Sequence, residues 1–222
     1  MDRRTLLLSG GVAVLGGGAY FLTRPGADGL PVNPLAGAAN AQSADPSSVP
    51  DMILGDPEAP VEVIEYASYT CPHCASFHAN QYKELKENYI DTGKIRFVYR
   101  EVYFDRFGLW ASMIARCSGS QDQFFAITNL IYEQQRSWTS SGDPAVIVGE
   151  LRKLAKIAGL DDATLDACLS DADQAQSLIA WYEQNAATHD VRGTPTFIID
   201  GQKYSNMAYA EFSQILDDKL AG

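Results

Sequence analysis

The chain has 222 residues, of which 46% are hydrophobic, 10% aromatic and 20% charged, enough for one or two compact units with a real core. The 17 Lys and Arg against 28 Asp and Glu leave a net charge of -11, so phosphate neutralisation cannot drive binding and nucleic acid is excluded as a principal partner. Ordinary Gly and Pro fractions (18 and 10 residues) exclude a collagen-like or low-complexity chain.

Arg3 and Arg4 precede a charge-free run from Thr5 to Thr23 that carries Leu6, Leu7, Leu8, Val12, Val14, Leu15, Phe21 and Leu22, the shape of an export signal. Residues 1–41 are read as that signal. Ala39-Asn40-Ala41 has the small-x-small form that a signal peptidase needs, which would start the mature chain at Gln42. A polar, Pro/Gly-rich stretch separates the apolar run from that site, so an uncleaved membrane anchor competes with cleavage. The paired arginines and glycine-diluted apolar run also resemble a twin-arginine signal. Each route delivers the remaining chain outside the cytoplasm, to a periplasm or an equivalent compartment. Residues 42–56 are polar and turn-prone and read as linker rather than as a first strand, which places the start of the fold near Pro57.

Val61 to Ala67 is short, β-branched and aromatic, and predicts a buried strand. Cys71-Pro72-His73-Cys74 follows at once. Ala75 to Asp91 then carries Tyr82, Leu85 and Tyr89 on one helical face, with Gly93 as its stop. Ile95 to Tyr99 is a second strand. Thr196 to Asp200 and Lys203-Tyr204 flank Gly201-Gln202 as a hairpin, and Tyr209 to Leu220 predicts a closing helix. Between the second strand and the hairpin, helical segments at 109–117, 122–135, 144–158, 164–169 and 173–188 predict an all-helical insertion over 106–188. The remaining 57–105 and 189–222 form one α/β domain.

A cysteine where a strand gives way to a helix sits among unsatisfied backbone N–H groups at the positive end of the helix dipole, which favours thiolate over thiol. Cys71 holds that place, His73 can add a charge or a hydrogen bond, and Pro72 lacks the N–H that would be orphaned there. Cys74, one turn in, is placed to resolve a mixed disulfide. A plain structural disulfide and a metal site built on Cys71, His73, Cys74 and His78 are the competing readings, but zinc normally takes a second, distant ligand pair and the sequence has none. Covalent haem needs His after the second cysteine, where Ala75 stands.

The order strand, Cys71-Pro72-His73-Cys74, helix, strand, helical insertion, then Gly193-Thr194-Pro195-Thr196 leading a strand resembles the DsbA family of extracytoplasmic thiol-disulfide oxidoreductases over residues 57–222. The resemblance implies a thioredoxin-like α/β fold with the helical domain inserted between its βαβ and ββα halves. It also implies that Pro195 is a cis proline facing the active-site disulfide, with Thr194 and Pro195 contacting substrate. Glu65 matches an acidic residue beneath the family's active site, a candidate proton relay to Cys74. A salt-bridged or solvated Glu65 is the alternative, and the family's nearby basic partner has no match at Tyr99, Arg100 or Glu101.

Four cysteines permit three connectivities, and committing Cys71 to Cys74 leaves Cys117 with Cys168. Both lie on apolar helix faces. A structural disulfide closing that loop would contribute roughly 3–4 kcal/mol, against the alternative of two buried free thiols. His78, one turn beyond Cys74, reads as a solvated helix residue, with a side chain facing the site as the alternative, His189 as a helix-end residue, and Trp110, Trp138 and Trp181 as core.

The sequence therefore predicts a monomeric disulfide oxidase that needs no cofactor or metal and donates the Cys71–Cys74 disulfide to reduced exported or unfolded proteins. By resemblance, a DsbB-like quinone-linked membrane oxidase would recharge it. An isomerase or reductase on the same fold and a non-redox metal- or polypeptide-binding module remain as alternatives.

Overall fold

The computed structural model describes residues 44–222; the export signal expected at 1–41 lies outside the described residues. Five strands form one sheet: β1 (Met52–Leu54), β2 (Val61–Ala67), β3 (Ile95–Glu101), β4 (Thr196–Ile199) and β5 (Gln202–Ser205), in the order β1-β3-β2-β4-β5. β2 and β3 are parallel, with Glu65 opposite Tyr99, and the other pairs are antiparallel.

The central strand β2 is buried on both faces, which is why its sequence is almost continuously apolar rather than alternating. Val61, Val63 and Ala67 join the main core, while Ile64 and Tyr66 join a smaller cluster with Val98, Val102 and Ile198 on the opposite face. Glu65 shares the parity of Val61 and Val63 and so points into the main core.

The helix after Cys71 runs without a break to Ile90: α1 (Pro72–Phe77), a π-helical turn (His78–Tyr82), α2 (Lys83–Leu85) and a second π-helical turn (Lys86–Ile90). Gly93, at a φ of +71°, reverses the chain into β3. Six helices stand between β3 and β4: α3 (Arg106–Arg116), α4 (Gln121–Glu133), α5 (Gln135–Trp138), α6 (Pro144–Ile157), α7 (Asp162–Ser170) and α8 (Ala172–Thr188). Side-chain caps start most of them, as Asp105, Ser120, Asp143, Asp161 and Asp171 accept from first-turn N–H groups. Buried α3 packs against α4, α6, α7 and α8, and α9 (Tyr209–Ala221) returns Phe212 and Leu216 to the main core.

The hairpin turns one residue earlier than the sequence suggests. Asp200 and Gly201 both adopt positive φ, the pairing an Asp-Gly two-residue turn favours, and Gln202 opens β5.

The reading of 42–56 as linker is corrected by the structure. Met52–Leu54 is an edge strand paired with β3, and Pro46–Ser48 is a turn of 3-10 helix packed on α8. Its anchors are tertiary: Asp45 N–H donates to Ser177 Oγ, Arg116 donates to the Pro50 carbonyl, and Arg100 makes a two-pronged ion pair with Asp51. A three-residue strand carries too short a pattern to read locally; it exists because β3 offers it a free edge.

Candidate active site

Cys71 caps the N-terminus of α1 in extended conformation, with Pro72 in the first helical turn. The loop carrying it is tied down on three sides. Cys71 N–H donates to the Ser68 carbonyl at 3.0 Å, Thr70 Oγ1 donates to Asp105 at 2.7 Å, and the Gln135 amide donates to the carbonyls of Tyr69 (2.8 Å) and Cys71 (2.9 Å). Gln135, from α5, is a site-shaping residue that the sequence reading missed. An isolated Gln on a four-residue helix carries no local signal.

Cys71 and Cys74 are free thiols with unlike surroundings: Cys71 is half-buried and Cys74 is fully buried. A hydrogen bond from the Cys74 thiol, with help from Thr194 and the backbone N–H groups of Cys74 and His73, outweighs burial and brings the Cys71 thiol down from 9.0 to about 5. The order is reversed at Cys74, where burial first, then the Cys71 sulfur and the Glu65 charge, push the thiol far up. One sulfur is thus an accessible thiolate and the other a covered thiol. His73 contributes its backbone N–H, and its side chain is exposed.

The Thr194-Pro195 peptide bond is cis, and the Thr194 carbonyl oxygen lies 3.3 Å from Cys71 Sγ, accepting from it in its thiol form. The loop before β4 and the start of α1 therefore meet at the Cys71 sulfur.

Glu65 and His78 form a buried pair beneath Cys74. Nε2 of His78 lies 3.2 Å from Oε2 of Glu65, with side-chain exposures of 5% and 0%. The His78 ring stacks on Tyr132 at 4.2 Å and on Tyr82 at 4.6 Å. The expectation that His78 is a solvated helix residue is therefore wrong, as is a solvated Glu65. The signal was present: Tyr82, Leu85 and Tyr89 mark the buried stripe, and stepping back by fours from Tyr82 reaches His78 and then Cys74. The basic partner missing from β3 comes instead from the active-site helix.

His189 caps α8 and meets the Tyr66 hydroxyl at 2.7 Å, while burial and Arg100 lower its pKa. Cys117 and Cys168 are joined as a disulfide between α3 and α7, 51 residues apart. Trp110, Trp138 and Trp181 are buried. Among the described residues no group of three or more His, Cys, Asp or Glu is placed to hold a metal ion, and no helix is long and apolar enough to cross a membrane.

These features, a sheet carrying a cysteine pair at a helix start with a cis-proline loop against it, define a thioredoxin-type protein. The family model described as Thioredoxin matches residues 47–218, and the chain belongs to that family. Its structural likeness is to the DsbA branch: it superposes on Wolbachia pipientis alpha-DsbA1 with a TM-score of 0.72 and 27% identity, over 77% of this chain and 91% of that one. Among sequence relatives, a putative protein-disulfide oxidoreductase of Rickettsia bellii is 34% identical over 170 residues, 77% of this chain and 64% of the relative. Disulfide bond formation protein D of Bacillus subtilis is 25% identical over 191 residues, 82% and 83% of the two chains. The chain thus spans a little under two thirds of the length of its Rickettsia relative.

Proposed function

We propose that the protein is an extracytoplasmic thiol-disulfide oxidoreductase that oxidises dithiols in exported polypeptides. The observation that carries this reading is the asymmetry of the two sulfurs, an accessible low-pKa Cys71 above a buried Cys74 held as thiol. In the oxidised form, a substrate thiolate attacks Cys71 Sγ, forming a mixed disulfide and expelling Cys74, which takes up a proton. A second substrate thiolate then attacks the substrate sulfur of that bond, and Cys71 leaves as the thiolate that its surroundings stabilise. Stabilising the leaving thiolate favours the reduced protein, which makes its disulfide a strong oxidant.

The substrate is placed by the Thr194–Pro195 loop. An extended chain lying along it brings its sulfur to Cys71, and Phe104, 56% exposed next to the Asp105 that anchors Thr70, offers apolar surface to an unfolded segment. Regeneration requires an electron acceptor for the dithiol, and a quinone-linked membrane oxidase of the DsbB kind supplies one. The chain acts as a monomer without a cofactor, and the Cys117–Cys168 bond serves stability in an oxidising compartment.

The test is the equilibrium of the Cys71–Cys74 pair with glutathione buffers, alongside trapping with Cys74→Ser. A potential of about -120 to -180 mV and a mixed disulfide that accumulates in Cys74→Ser but not in Cys71→Ser are expected. A potential near about -270 mV would mark a reductase, and failure to form the disulfide would refute redox function altogether.

A further inference from the structure

The Glu65–His78 pair stands in a wall between the buried sulfur and a solvent groove. On one side is Cys74, close enough that the Glu65 charge opposes its ionisation. On the other is a groove of about 860 Å³ along the active-site helix, lined by His78, Tyr82 and Tyr132 together with Lys83, Lys86 and Arg136. Two polar atoms of the pair have no partner within the fold, Oε1 of Glu65 and Nδ1 of His78, and both are buried. Buried polar atoms are almost always paired, so two orphans on one hydrogen-bonded pair need a functional reason. The titratable groups packed around His78 are Glu65 from β2, Cys74 from α1, Tyr82 from the π-helical turn, Tyr99 from β3 and Tyr132 from α4. Burial pushes all three tyrosines up, so none of them ionises in competition with the pair. A π-helical turn begins at His78 and widens the helix at this point.

We propose that His78 is the positioning residue of a two-member proton relay, in which Glu65 exchanges the Cys74 proton and His78 exchanges a proton with water in the groove. The proposal rests on the dithiol-disulfide reading of the same site. When Cys74 attacks a mixed disulfide at Cys71, its S–H bond breaks, its sulfur bonds to Cys71 Sγ, and the outgoing group leaves as a thiolate. The proton passes to Oε1 of Glu65, while Nε2–H of His78 keeps its bond to Oε2 and Nδ1 gives a proton to a water that enters from the groove. One proton enters and one leaves. The net charge of the pair is therefore unchanged where an uncompensated charge would be costly. Substrate oxidation runs the same transfer in reverse. His78 also keeps the Glu65 carboxylate in place beneath Cys74, the role that no side chain of β3 fills.

The step can be isolated with dithiobisnitrobenzoate added to protein reduced at Cys71 and Cys74. The first thionitrobenzoate release reads attack by Cys71 and the second reads resolution by Cys74. In His78→Gln, whose amide can still donate to Glu65 but cannot release a proton, we expect the second release to slow tenfold or more and the first to be unchanged. His78→Ala should behave alike, and added imidazole entering the opened groove should restore its second release. In the wild-type protein the second release should show a solvent deuterium effect that curves with deuterium fraction, because two protons move. A wild-type second release in His78→Gln, equal slowing of both releases, no rescue of His78→Ala by imidazole, or a linear deuterium dependence would overturn the relay while leaving the oxidoreductase reading intact. A wild-type protein that releases no second thionitrobenzoate refutes that reading, and the relay with it.

Discussion

The low pKa of Cys71 makes the stability of the reduced protein, relative to the oxidised one, depend on pH. A group whose pKa is depressed by folding adds stability above its unfolded value, and that stability is lost as pH falls through its folded value. For Cys71 the two limits are 9.0 and about 5. Full transmission at 1.36 kcal/mol per pH unit gives about 2.7 kcal/mol at pH 7 and about 0.4 at pH 5. Cys71 is only half-buried, and solvent screening reduces the change between those pH values to about 1 kcal/mol. Cys74 adds nothing in this window, since its raised pKa leaves it protonated in both states. Titrating groups away from the two sulfurs are common to both redox forms and cancel in the difference, and the Glu65–His78 pair keeps the same net charge in both. Urea denaturation of the oxidised and reduced protein at pH 5, 6, 7 and 8 checks the arithmetic. The reduced form should gain on the oxidised form by about 1 kcal/mol from pH 5 to pH 7, with iodoacetamide alkylation of Cys71 reaching its midpoint near pH 5. A difference that is flat with pH, or that moves the other way, would refute the electrostatic account of the site.

Replacing Cys117 and Cys168 together by Ala opens a loop of 51 residues and should cost about 4 kcal/mol in the chain-entropy model, read as a lower urea midpoint with the thiol chemistry of Cys71 retained. Glu101→Leu leaves the Arg116 guanidinium buried without its carboxylate, and a loss of about 3–5 kcal/mol is expected by thermal or urea unfolding. Gln135→Leu strips the side-chain amide that ties the Tyr69 and Cys71 carbonyls to α5, and should cost about 2–3 kcal/mol of stability. Its alkylation profile should also broaden, because the loop that aims N–H groups at Cys71 is no longer held.

The local chemistry of this protein is written in its sequence. The β2 run, the cysteine pair at a helix start and the helical stripe of Tyr82, Leu85 and Tyr89 each act within a few residues, where periodicity and capping operate, and the hairpin is legible to within one residue of its turn. The α/β class with a helical insertion follows from their order along the chain. What only the tertiary structure decides is who meets whom. Met52–Leu54 becomes a strand because β3 has a free edge about 45 residues later, and the polar residues around it gain partners in α3, α8 and β3 that no local pattern names. Gln135 reaches the active-site loop across 64 residues of chain. Glu65 and His78 are 13 apart in sequence, on a strand and on a helix; strand parity and the helical stripe aim each of them inward, but only the helix laid over the sheet makes them partners. Burial then removes water from both at once, and the hydrogen bond that compensates them is a property of the packed molecule alone.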